Sequence, residues 1–153
     1  MVLELFTAIE KSFLGQLIQG NLYIFPIIEV FHLFALAVLG GTVLLVDLRL
    51  LGWGLTRQSP AQLQKDVMPF MRWAIVLAVV SGVLLFVSEA TKCYYHPAFW
   101  YKMSFLAAAL IFTFTWQKRV VSLPAGAMWK ATAIVSVILW SGVGIGGRWI
   151  GFE

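Results

Sequence analysis

His32 stands inside an apolar run, residues 30–46, that holds no Asp, Glu, Lys or Arg and is bounded by Glu29 and Asp47. Imidazole is the commonest metal ligand and a proton carrier near neutral pH. At 100° per residue, Glu29, His32, Leu36, Gly40, Val43 and Asp47 fall within one helical arc of about 80°. Two readings of His32 stand side by side. One is an axial haem ligand or metal ligand; the other is a hydrogen bond to a Ser, Thr or Glu of a neighbouring helix. Glu29-x-x-His32 is half of a di-metal carboxylate site. The later apolar runs supply no further internal carboxylates, so a di-iron centre is not expected. Glu29 is expected to pair with Arg148 or Lys102.

A second group lies at Cys93-x-x-His96. With Glu29 and His32 it has the composition of a four-ligand metal site. The alternative for His96 is helix capping, with Pro97 at the first position of the next helix. For a haem held through His32, Gly40 and Gly41 would leave a flat slot, and Phe31, Phe34 and Trp140 would line it. Arg148, Lys102 and the tyrosines Tyr94, Tyr95 and Tyr101 would receive its propionates.

These residues need a scaffold, and composition says which. The chain has 153 residues, 61% hydrophobic and only 12% charged. Average soluble domains are roughly 45–50% apolar and about 25% charged. The charged residues are too few to cover the surface of a soluble domain this small. A soluble enzyme, a disordered tail and a disulfide scaffold are excluded. Cys93 is the only cysteine, so it forms no internal bridge. The net charge of +4 comes from scattered Lys and Arg, which flank apolar runs rather than form a nucleic-acid surface.

Charge-free cores at 30–46, 73–88, 103–117 and 131–147 predict four spanning helices near 22–51, 68–90, 97–118 and 127–149. Helices satisfy their own backbone in lipid, and no strand-like alternation competes. The expected fold is therefore an all-α integral membrane protein, a four-helix transmembrane bundle over 21–153. Leu3, Phe6, Ile9, Phe13, Leu14 and Leu17 recur at helical spacing, which predicts an amphipathic interfacial helix over 1–20. Glu4 and Glu10 and the lack of a basic start argue against a signal peptide. A further short helix is expected over 61–68. Trp53, Trp73, Trp100, Trp116, Trp129 and Trp149 lie near span ends, as an interfacial belt does, whereas Trp140 is internal. Ala74, Ala78, Ser81 and Gly82, and the pair Gly142-x-x-x-Gly146, read as helix-contact positions.

Orientation follows from basic residues. Arg49, Arg57, Lys65, Arg72, Lys118, Arg119 and Lys130 lie on one side, and Lys11, Lys92, Lys102 and Arg148 on the other. The first side is expected in the cytoplasm, with both termini in the periplasm of a bacterial inner membrane.

The stretch Phe25-Pro26-Ile27-Ile28-Glu29-Val30-Phe31-His32-Leu33, with Asp47-Leu48-Arg49-Leu50-Leu51-Gly52, resembles an uncharacterised family of small bacterial four-helix membrane proteins. The resemblance covers nearly the whole chain. In that family the third helix opens Tyr-x-Asn-Pro-Ala-Phe-x-x-Lys; this chain has His96 at the Asn position, before Pro97-Ala98-Phe99 and Lys102. More remotely, the chain is similar to HemJ-type protoporphyrinogen oxidases and the CopD-type copper-resistance domain. That resemblance implies haem b bound through His32, without implying protoporphyrinogen oxidation.

Two functional classes follow. The expected one is a small integral membrane haem b protein in electron transfer or redox support. The other is a non-catalytic subunit of a homo-oligomer or larger membrane complex. Outer-face copper handling, through His32 and His96, is a third. Catalytic residues are not evident, and the expected surroundings are the lipid bilayer and other membrane chains.

Overall fold

The computed structural model describes residues 1–152. Helices α1 (Val2–Glu10) and α2 (Phe13–Gln19) precede α3 (Ile24–Leu51) and α4 (Pro60–Ser88). Then come α5 (Ala90–Tyr95), α6 (Pro97–Phe112), a π-helical turn (Thr113–Gln117), α7 (Lys118–Val120) and α8 (Ala127–Phe152). No strand occurs among the described residues. Four helices are long and apolar enough to cross a membrane: 24–51, 60–88, 97–120 and 127–152. The chain is a multi-pass all-α bundle.

Span boundaries move for local reasons. The second helix starts at Pro60, so residues 61–68 form its first turns rather than a separate helix. Ser59 Oγ accepts the Gln62 N–H, and Pro60 suits the first helical position. The N-terminal stretch is two helices, because Ser12 restarts the chain and its Oγ accepts from Gly15 N–H. Gly52 ends α3 in the left-handed conformation, at φ 79°.

α3 packs on α4 and α8, and α8 packs on α6; α4 and α6 make no comparable contact. Near the two connecting loops, Val46, Leu50, Leu63, Val67, Val121 and Ala133 form one buried cluster. Midway, Leu39, Val43, Met71 and Ala74 form another, with Trp140 against it. Between α6 and α8, a Cβ on Gly142 would run into the Phe105 ring, and one on Gly146 would meet Lys102. Both glycines of the Gly-x-x-x-Gly pair thus serve close helix approach.

α1 and α2 clamp the opposite end, where α4 gives way to α5. Glu10 Oε2 accepts the Thr91 N–H at 2.7 Å, and Gln19 Nε2 donates to the Ser88 carbonyl. Phe6 meets Phe86 and Tyr94 edge-on. The remaining face of these helices exposes Leu5, Phe13, Leu14 and Leu17.

Candidate functional site

The buried positions of α3 are Ala35, Leu39, Thr42, Val43, Val46, Asp47 and Leu50. Their centre lies about 60° around the helix from the arc the sequence suggested. Glu29 and Gly40 consequently face outward, and His32 and Leu36 are half-buried. Asp47 stays buried at the edge of this face because α8 and the π turn cover it.

His32 faces α4. Its Nδ1 lies 2.9 Å from Ser81 Oγ. That hydroxyl is also 2.6 Å from the Leu77 carbonyl, which only accepts. The single hydroxyl proton therefore goes to Leu77, and His32 Nδ1–H donates to Ser81. In the neutral ring this leaves the lone pair on Nε2. Gly82 makes room for the ring: a Cβ there would sit 3.2 Å from His32 Cε1.

The other expected haem partners do not gather around His32. Glu29 is exposed and its predicted ion pair with Arg148 or Lys102 is not formed; the one ion pair among the described residues joins the N-terminus to Glu4. A Cβ on Gly40 or Gly41 would meet nothing within 4 Å, so neither lines an internal slot. Phe31 and Phe34 are exposed. Trp140 Nε1 donates to Thr113 Oγ1 at 3.2 Å, at the level of Leu39 and Val43, some 10 Å along the bundle from His32. Arg148 is exposed, its guanidinium over the Phe152 ring. Lys102 is half-buried, folded against Gly146 and Gly147.

The second group, Cys93 and His96, lies between α4 and α6. His96 is buried, and its Nδ1 accepts the Ala98 N–H at 3.3 Å, capping α6. Burial first, and then the charge of Glu89, push the Cys93 thiol up to about 11, so it is not a thiolate at neutral pH. Among the described residues no three His, Cys, Asp or Glu side chains come together to hold a metal, so the four-ligand site is not formed.

The most enclosed ionisable group is Asp47, 1% exposed. Gln117 Nε2 donates to its Oδ1 and Ser136 Oγ to its Oδ2, each at 2.7 Å. Gln117 is the last residue of the π turn, and such turns re-aim side chains within a helix. Trp116 Nε1 donates to Thr132 Oγ1 across the same α6–α8 contact. Sequence reasoning placed Asp47 on the stripe but missed Gln117 and Ser136. Their one signal is polarity inside or beside charge-free runs; nothing in the letters marks the π turn.

The family model for the family of unknown function DUF6644 matches residues 5–153. The chain belongs to that family. No curated protein and no solved structure matches the chain. Membership fits the four-helix family resemblance and supplies no activity, and no relation to the HemJ or CopD types emerges from it.

Proposed function

We propose that this chain is a non-catalytic membrane subunit, acting as a homo-oligomer or within a larger membrane assembly. The carrying observation is that polar side chains of the spans bond to other helices: His32 to Ser81, Asp47 to Gln117 and Ser136, Trp140 to Thr113 and Trp116 to Thr132. Such bonds lock a bundle and leave few groups for chemistry. On the outside, Gly40 and Gly41 bare the α3 backbone beside an open apolar groove lined by Val38, Leu44, Leu45 and Phe70. Exposed glycine pairs allow another helix to approach closely. The basic-residue bias supports a bacterial inner membrane, with the connecting loops in the cytoplasm. Single cysteines at Ala37, Gly40 and Leu44, oxidised in intact membranes, test this. Cross-linked dimers or adducts are expected, and monomer at all three positions overturns it.

A haem b carrier in electron transfer is the second reading. It is favoured by the His32 tautomer, whose Ser81 partner orients the ring as an outer hydrogen bond orients a metal-bound imidazole. A Soret band lost in His32→Ala would select it.

A further inference from the structure

We propose that Asp47 is a proton-binding site, its carboxyl gaining and releasing a proton within the folded bundle. The geometry suits both states. With the carboxylate ionised, Gln117 Nε2–H and Ser136 Oγ–H each donate to one oxygen. On protonation an O–H bond forms at Oδ2 with a proton delivered by water. Ser136 Oγ then accepts from it, a hydroxyl oxygen being able to accept as well as donate. Gln117 donates to Oδ1 in both cases.

No basic side chain compensates Asp47. Arg49, next on α3, donates to the Gln58 carbonyl and lies over Trp129. Lys65 and Asp66 on α4, Lys118 and Arg119 on α7, and Lys130 on α8 are all exposed. None of these cations lies within ion-pair distance of Asp47 among the described residues. An ionisable group buried inside a spanning bundle marks a functional site by default, and a proton is the smallest positive charge that neutralises it. A sodium ion would need further oxygen ligands, whereas both Asp47 oxygens already hold donors.

The facing helix carries a second buried polar side chain near this level. Gln64 is 5% exposed, and its Nε2 has no acceptor among the described residues. It lies between Leu63 and Val67, which pack with Val46 and Leu50 around the level of Asp47. Asp47 is also only four residues from the end of α3, about 6 Å from the connecting loops.

Infrared difference spectroscopy of the full chain in lipid nanodiscs, titrated with pH, tests the proposal. A carboxylic C=O band should appear and vanish reversibly with pH, be absent in Asp47→Asn and shift in Asp47→Glu. Should Asp47→Asn fail to fold, Ser136→Ala keeps the carboxyl and should shift the same band by removing its partner. A titrating band set unchanged in Asp47→Asn, or in Ser136→Ala, overturns it. Cross-linking through α3 is unaffected by either result, so the subunit reading stands or falls separately.

Discussion

Gln117 reaches Asp47 across seventy residues of chain, its amide nitrogen 2.7 Å from a carboxylate oxygen, because a π turn rotates the end of the third span towards the first. The contact ties the first and third spans, whose helices otherwise meet mainly through α8. Removing the amide in Gln117→Leu should cost about 1–3 kcal/mol, the usual loss when a buried acceptor is stranded. Asp47→Asn keeps a hydrogen-bonding partner for both neighbours and should cost less. Thermal unfolding in detergent, comparing both variants, checks the order.

The α6–α8 seam depends on absent side chains. Gly142→Ala should destabilise the bundle by about 1–3 kcal/mol, because its Cβ meets the Phe105 ring, and overpacking costs that much in a close-packed contact. Gly144→Ala, whose Cβ would meet nothing within 4 Å, is the control and should be near neutral. A similar melting temperature for the two would contradict the packing account.

The N-terminal clamp is expected to open in acid. Hydrogen bonds from Thr91, hydroxyl first and backbone N–H next, hold Glu10 below its ordinary 4.5 against the opposing effect of burial. A lowered folded value means the clamp's stability is fully present above that ordinary range and lost as pH falls through the folded value. Protection of the α1 and α2 amides against exchange, relative to the intrinsic rate at each pH, should therefore fall as the solution is acidified below the ordinary carboxylate range. Glu10→Gln should raise exchange at neutral pH and flatten the profile.

Cys93 is expected to react slowly. A thiol at about 11 carries little thiolate at pH 8, and its burial limits access. Alkylation by iodoacetamide in the folded protein should lag far behind alkylation after denaturation. Equal rates would show that the turn between α4 and α6 is open.

Much of the fold was legible, because charge-free runs of membrane length permit little but helices. The reading of Gly142 and Gly146, and of Ser81 and Gly82, as contact positions found the surfaces that Phe105, Lys102 and His32 occupy. His32 bonds a serine of a neighbouring helix, one of the two readings its position allowed. The stripe misled at Glu29 and Gly40 because a helical wheel gives relative angles, whereas the covering helices choose which face is buried. Gln117 and Ser136 were illegible as partners of Asp47, since their meeting depends on one π turn and a tertiary contact between three spans.

The central claim is that the polar residues of the spans tie helices together rather than hold a redox cofactor. The visible absorption spectrum of the purified, untagged chain, with pyridine haemochrome measured per mole of protein, tests it most directly. A colourless protein is predicted, with His32→Ala inserting normally and losing roughly 0.6–2 kcal/mol of interhelical bonding. A Soret band at one haem per chain that disappears in His32→Ala, while the bundle still inserts, would contradict it.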